Sequence, residues 1–323
     1  MTLTFEVPEA ETNTRLDRFL RRNVEGLTQA HIQKFLREGK IRVNGAKAEA
    51  NTRLALGDTV TAPRITPPRE MPRQRHVVAM DPQMIRELEG MILYRDESVI
   101  VLNKPAGLAS QGGSGISVHL DGMLDALRFG GSERPKLVHR LDRDTSGVLL
   151  LARGVKPASK LATAFRGRDV EKTYWALVWG VPDVLEGRID LPLLRVEVGG
   201  VSRAEPASRK DPEALKAVTA YRVVEYAGRK FAWMELQPQT GRMHQLRAHM
   251  LALGTPILGD AAYGQAFAEG FAPQLHLHAR CLRFAHPEGG TLSVEAPLPP
   301  HMRESFAHLG FTIPGTMKPK REA

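Results

Sequence analysis

The feature that most constrains this chain is a dense cluster of charge set directly against an apolar run. His139-Arg140-Leu141-Asp142-Arg143-Asp144-Thr145-Ser146-Gly147 leads without a spacer into Val148-Leu149-Leu150-Leu151-Ala152. An unbroken apolar run of this length reads as a buried strand. The charged loop therefore feeds directly into a core strand. Further strands are expected at Ile92–Tyr94, Val99–Leu102, Thr173–Val178, Val218–Val224 and Phe231–Leu236, and helices at Lys156–Phe165 and His244–Leu253. Strands follow one another without a helix between each pair. That order predicts an α+β fold with a mixed, mostly antiparallel sheet.

The first 75 residues read differently. They hold 14 basic and 9 acidic residues, against a net charge of +9 for the whole 323-residue chain, so over half the excess lies in under a quarter of the length. Leu16, Phe19 and Leu20 recur at helical spacing, with Arg15, Arg18 and Arg22 on another face. A second helix is expected from an N-cap at Thr28 to Gly39, burying Ile32, Phe35 and Leu36 and turning His31, Lys34 and Arg37 outward. Lys40-Ile41-Arg42-Val43 then alternates into Asn44-Gly45, a hairpin signal. From Ala62 to Arg75, four prolines and four arginines with one acid describe a basic linker. Met317–Ala323 reads as a frayed basic tail.

Several function classes drop out. A single cysteine, Cys281, rules out an intrachain disulfide and a cysteine-cluster zinc site. No stretch approaches a membrane span, and Met1–Glu6 lacks the features of a secretory signal, so a soluble cytoplasmic chain is expected. Neither a Walker loop nor a dinucleotide glycine fingerprint follows a strand; Gly112-Gly113-Ser114-Gly115 is an isolated glycine-rich turn. His244 and His249 lie five apart, the wrong spacing for zincin ligands, while His276 and His278 share one strand face, where core histidines are commoner than metal ligands.

The charged loop and strand resemble the signature of the RluA-type pseudouridine synthases. Leu102-Asn103-Lys104-Pro105-Ala106-Gly107, Glu171–Val178, Thr240–His249, Leu258-Gly259-Asp260 with Tyr263-Gly264, and Leu277-His278-Ala279 follow in that family's order. Thr14–Leu20, the helix ending at Gly39 and Ile41–Gly45 resemble the S4-like RNA-binding module first known from ribosomal small-subunit protein four. The module and the glycine turn point to the RluC subgroup, whose substrate is large-subunit ribosomal RNA. Two departures bear on RNA choice: Gly199–Ala217 is longer than usual, and Gln111 stands where relatives often carry histidine.

The resemblance implies an S4-like domain over 1–62, a Pro/Arg linker over 63–90, a catalytic domain over 91–310 and a basic tail over 311–323. It implies an essential carboxylate at Asp142, a uracil-stacking tyrosine at Tyr174 that is also a candidate proton acceptor, and an arginine paired with Asp142, with Arg247 first and Arg242 second. Asp144 is read as structural. Arg140 is a candidate wedge into the vacated RNA stack, and His139 and Lys104 belong to the pocket rim. Arg18, Lys34, Arg37 and Lys40 would contact phosphates. No metal or cofactor is implied, and the expected partner is large-subunit ribosomal RNA or a pre-ribosomal particle, met by a monomer. An inert assembly factor, or action on another RNA such as transfer RNA, are the alternatives. Deleting residues 1–75 is expected to weaken RNA binding and flatten its dependence on salt, as fewer phosphates are neutralised. An unchanged slope of log affinity against log salt would contradict that role.

Overall fold

A computed structural model describes residues 2–24, 27, 29–63, 78, 80–113, 115–167, 169–198, 201–263 and 270–322. The chain divides into two compact units, Met1–Arg75 and His76–Ala323. Most of the expected basic linker, the N-cap at Thr28 and Ser114 of the glycine turn lie outside the described residues.

In the first unit, β1 (Thr2–Glu6), α1 (Leu16–Asn23), α2 (Gln29–Arg37), β2 (Arg42–Val43), β3 (Ala46–Lys47) and β4 (Thr59–Pro63) follow in order. The sheet order is β1-β4-β2-β3. Leu16, Phe19, Leu20 and Ile32 are buried against it with Ile41, Leu54 and Val60. Asn44 (φ 50°) and Gly45 (φ 74°) take the positive φ values of the two-residue hairpin turn. Arg18, Lys34, Arg37 and Lys40 are all exposed, with Lys40 2.8 Å and Lys34 3.9 Å from Glu38.

The second unit opens with α3 (Pro82–Gly90), β5 (Ile92–Arg95), β6 (Val99–Lys104), α4 (Leu120–Met123) and β7 (Lys136–Leu137). β8 (Ser146–Ala152), α5 (Val155–Gly167), β9 (Glu171–Trp179), β10 (Glu186–Asp190), β11 (Leu193–Val198) and β12 (Val201–Pro206) come next. β13 (Val218–Ala227), β14 (Phe231–Pro238), α6 (Gln245–Ala252), β15 (Leu277–Ala285), β16 (Thr291–Glu295), α7 (Pro300–His308) and β17 (Lys320–Glu322) complete it. Among the described residues, eleven strands form one sheet, with the main path β10-β13-β14-β9-β15-β8-β6-β5; β11 and β12 form a separate hairpin. Every pairing in the large sheet is antiparallel except β8 with β15. The expected α+β architecture is the one found.

β8 is buried along its whole length. Val148, Leu150 and Ala152 face one core with Val99, Val101 and Phe284, while Leu149 and Leu151 face the other with Ile100 and Leu102. Alternation across a two-sided core is the reason the run shows no polar residue.

Two boundaries need correction. The expected 63–90 linker is not linker throughout, because α3 occupies Pro82–Gly90, with Pro82 in its first turn and Asp81 accepting the Met84 N–H at 2.8 Å. The expected 311–323 tail is anchored: Phe311 is buried, and β17 pairs with β16 through Ser293↔Lys320 and Thr291↔Glu322. The basic residues of that tail suggested fraying because strand pairing at a sheet edge leaves side chains solvated.

Gly147 (φ 111°) lies where β8 meets β15, and a Cβ there would run into the Ala279 backbone. Gly147→Ala is expected to cost at least about 3 kcal/mol, lowering Tm by roughly 6–12 °C in a unit of this size. Gly90→Ala, which meets nothing within 4 Å, is the matched control, expected to leave Tm unchanged or slightly raised. Equal Tm values for the two variants would contradict the close approach.

Candidate active site

The loop between β7 and β8 is held from three sides. Ser110 Oγ donates to the Leu141 carbonyl at 2.7 Å and accepts the Leu141 N–H at 3.1 Å, fixing the residue before Asp142. The Thr145 N–H returns to the Asp142 carbonyl at 3.2 Å. Beyond Asp142, the Arg143 carbonyl accepts the Gly107 N–H at 2.9 Å and the Lys104 ammonium at 3.0 Å. Ser146 Oγ is tied to His278 Nδ1 at 2.8 Å. Asp142 thus projects from a backbone clamped on both flanks, which limits the reorganisation its carboxylate needs.

Lys104 is not at the pocket rim. Its side chain is fully buried and donates also to the carbonyls of Pro105 and Leu108, each at 2.8 Å. Burial lowers its pKa to about 8, against the pull of Asp144 and Asp142. The spacing placed Lys104 near the loop, but the strand pairing Lys104↔Gly147 turns it beneath the loop instead.

Asp142 opens into a cavity of about 730 Å³ with Arg140, Tyr174, Lys172, Arg242 and Arg247 on its walls. Arg140 is exposed. His139 also lines the cavity, but as wall: its ring stacks on Phe165 at 4.5 Å and Nε2 accepts the Leu150 N–H at 3.0 Å. Burial, with Lys172 adding, depresses its pKa to about 3, so it stays neutral. Tyr174 sits in β9 between Leu236 of β14 and Ala279 of β15. Burial, then the Asp142 charge, raises the pKa of its phenol. Asp144 pairs with Arg143 at 3.1 Å on the outer side of the loop.

Arg247 requires a correction. Its bidentate partner is Asp260, at 2.8 Å from Nε and 2.6 Å from Nη2, with both side chains buried. Burial alone would lower the guanidinium pKa; the Asp260 hydrogen bonds and charge, with Asp142 adding, raise it. Asp142 is therefore within electrostatic reach of Arg247 without being its bonded partner. Asp260 Oδ1 also accepts the Ala262 and Tyr263 N–H groups at 3.1 and 3.2 Å. The Tyr263 ring lies 5.0 Å from the Arg247 guanidinium, and its hydroxyl meets His244 Nδ1 at 3.1 Å and accepts the Ala204 N–H of β12. Arg242 takes a different course, donating from Nε to the Lys216 carbonyl at 3.0 Å.

Asp260, Tyr263, His244 and Gln245 had no assigned role in the sequence. Gln245 builds the entry to α6, accepting from Thr240 Oγ1 at 2.7 Å and donating to the Val218 carbonyl at 2.9 Å. His244, at φ 49°, is a non-glycine left-handed residue at the same entry, a strained conformation that surrounding contacts must hold. An acid beside glycine in Leu258-Gly259-Asp260 was the available signal, but its arginine partner lies on another element.

Among the described residues, no group of three or more His, Cys, Asp or Glu could hold a metal ion. His276 and His278 use both ring nitrogens: His276 on Gln274 and Ser305, His278 on Ser146 and Ala296. Nor, among the described residues, is any helix long and apolar enough to cross a membrane.

Two stability predictions come from this geometry. Asp260→Ala strands a buried guanidinium and is expected to lower the unfolding free energy by about 3–5 kcal/mol, while Arg247→Met with Asp260→Leu recovers most of it. Equal losses in urea titrations of the two proteins would contradict a buried pair. Burial depresses the pKa of His276 to about 4 and of His278 to about 3. The unfolded chain binds protons at these rings near pH 6.5 and the folded chain does not, so stability falls as pH drops below 6.5. The two together contribute about 3 kcal/mol per pH unit, down to the folded pKa values. A slope below about 1 kcal/mol per unit over pH 6 to 4.5 would contradict it.

Residues 98–252 match the family described as RNA pseudouridylate synthase, and residues 14–60 match the S4 domain. A Vibrio cholerae protein named ribosomal large subunit pseudouridine synthase C is 33% identical, covering 94% of this chain and 96% of its own. A Rickettsia prowazekii protein of the same name is 36% identical over 88% and 94%. The solved human RNA pseudouridylate synthase domain containing 4 superposes with a TM-score of 0.61 at 30% identity, covering 72% of this chain and 98% of that one. With the sheet, the clamped aspartate loop and near full-length similarity in agreement, the chain belongs to the RNA pseudouridylate synthase family and is an isomerase that carries an S4 domain.

Proposed function

We propose that this enzyme isomerises uridine to pseudouridine in large-subunit ribosomal RNA, with Asp142 as the essential carboxylate. The observation that carries the reading is the carboxylate on a clamped loop, facing a cavity shared with the Tyr174 ring and a pre-neutralised Arg247. The relatives named for the large ribosomal subunit supply the RNA class.

The reaction breaks the bond from ribose carbon 1′ to uracil nitrogen 1, turns the base, and joins carbon 1′ to ring carbon 5. The carbon 5 hydrogen leaves as a proton and nitrogen 1 gains one, so neither water nor a redox partner is consumed. Positive charge develops on the sugar as the first bond breaks, and a carboxylate beside it stabilises that charge or adds to the sugar. Asp142 supplies the carboxylate. Arg247, held by Asp260, stands on the wall of the same cavity. Tyr174 offers its ring face to the uracil. Its raised phenol pKa makes it a neutral platform at physiological pH and weighs against its serving as a ready proton acceptor.

A uridine reaches such a cavity only by leaving its stack, at a cost of a few kcal/mol. Arg140, exposed at the cavity, would fill the gap, and Arg242 and Lys172 add positive charge to the wall. Arg18, Lys34, Arg37 and Lys40 of the S4 domain supply phosphate contacts. This reading puts the chain in the cytoplasm, as a monomer without a cofactor, on ribosomal RNA or a pre-ribosomal particle.

Large-subunit RNA tritiated at uracil carbon 5 tests the assignment. Wild-type protein is expected to release tritium, and Asp142→Asn to lose at least ~10³-fold in rate with RNA affinity within about threefold. Release by Asp142→Asn at the wild-type rate would overturn the aspartate's role; tight binding without release by wild type would point to an inert assembly factor.

A further inference from the structure

The β9–β14 ladder stops at the catalytic cavity. Its register runs from Phe231↔Trp179 to Leu236↔Tyr174 and goes no further. β14 continues on β13, through Thr219↔Pro238 and the Gln239 N–H to the Val218 carbonyl at 2.9 Å. β9 continues on β15, through Thr173↔Cys281 and Glu171↔Arg283. The strands therefore fork apart just beyond Tyr174. Pro238 falls two residues past Leu236, where the next ladder bond to β9 would need an N–H, and proline has none to give.

A second cavity of about 380 Å³ occupies this fork, lined by Glu171, Lys172, Thr173, Gln237, Pro238 and Gln239. Lys172, Pro238 and Gln239 also line the catalytic cavity, so the two share a wall. The volume lies near the lower end of the roughly 300–1,000 Å³ found for small-ligand sites, room for a single nucleotide and not for a duplex.

The chemistry of the lining selects the occupant. Gln237 and Gln239 are exposed, and neither side-chain amide has a hydrogen-bond partner among the described residues. Each presents one acceptor and two donor hydrogens, the complement of a nucleobase edge. Glu171 and Lys172 carry opposite charges, and Glu171 is paired with Arg283 at 3.3 Å. A carboxylate in the lining weighs against a phosphate cradle, and the two amides suit a neutral, hydrogen-bonding base.

We propose that the fork is a second subsite, which holds one unpaired nucleotide next to the isomerised uridine and reads its base through Gln237 and Gln239. The inference rests on the RNA isomerase reading above and deepens it: the uridine goes to the Asp142 cavity, and its neighbour goes to the fork. A strand passing over Lys172 and Pro238 connects the two. Target choice then depends on the base beside the uridine as well as on the fold of the RNA.

The test is a double-mutant cycle between protein and RNA. A stem-loop substrate is made in which each neighbour of the target uridine is replaced in turn by an abasic nucleotide. Tritium release is measured with wild type and with the double variant Gln237→Ala, Gln239→Ala. Wild-type kcat/KM is expected to fall about tenfold at one neighbouring position, the scale of one lost base-edge contact. The double variant is expected to show the same fall on intact RNA through KM, with kcat within about twofold, and no further loss at that position. Losses that multiply at every position, or a double variant indistinguishable from wild type, would overturn the subsite. If wild type releases nothing from any large-subunit RNA, the isomerase reading fails by itself. The same cycle on equilibrium binding then decides the subsite, with additive losses counting against it.

Discussion

The site depends on a buried cation that is already paired. Arg247 and Asp260 are both withdrawn from water, and the Asp260 carboxylate is further held by two backbone N–H groups. An unpaired guanidinium at this depth would be costly, and one bonded directly to Asp142 would engage the carboxylate proposed for the chemistry. Splitting the roles lets Asp260 hold the arginine while the arginine still acts on Asp142 through space. Tyr263 extends the pair outward, with its ring on Arg247 and its hydroxyl between His244 and the Ala204 amide of the β11–β12 hairpin. Arg195 of that hairpin also lines the catalytic cavity, so one tyrosine joins the floor of the site to a wall of its entrance.

The second requirement is a loop held by hydrogen bonds on both flanks of Asp142. Lys104 at the end of β6 and Ser110 in the segment that follows it bond the backbone on either side of Asp142, and His278 of β15 holds the Ser146 side chain at the end of the loop. Gly147 allows β15 to approach closely at the base of the loop, and β8 anchors it in a core buried on both faces. Histidines that stay neutral complete the support. The reaction can then be left to a few groups on the cavity wall, because the scaffold has fixed their separation in advance.

Periodicity made much of this legible. β8, β9 and β14, both helices of the first unit and the Asn44-Gly45 hairpin follow from local patterns, and Asp142 and Tyr174, which the family resemblance singled out, line one cavity. Contacts between distant residues were not legible. Arg247 was matched to the wrong carboxylate because its partner is fixed by where Gly259-Asp260 folds, and Lys104 was put on the rim because spacing does not tell which side of a loop a lysine takes. α3 carried its own Asp81-Pro82 start but was hidden beside the Pro/Arg-rich stretch. β17 was missed because its exposed basic residues owe their order to pairing with β16. The fork beyond Tyr174 had one visible cause, Pro238, whose effect shows only once β9 is known to be the neighbour.

The central claim of the proposed function is that the base leaves the sugar and returns to it within one site. The most direct measurement is the nucleoside balance of large-subunit RNA incubated with the purified chain and no added cofactor. The account predicts that pseudouridine appears in the amount that uridine disappears, with no free uracil in solution. Free uracil matching the lost uridine would show hydrolysis in place of isomerisation and would contradict the account.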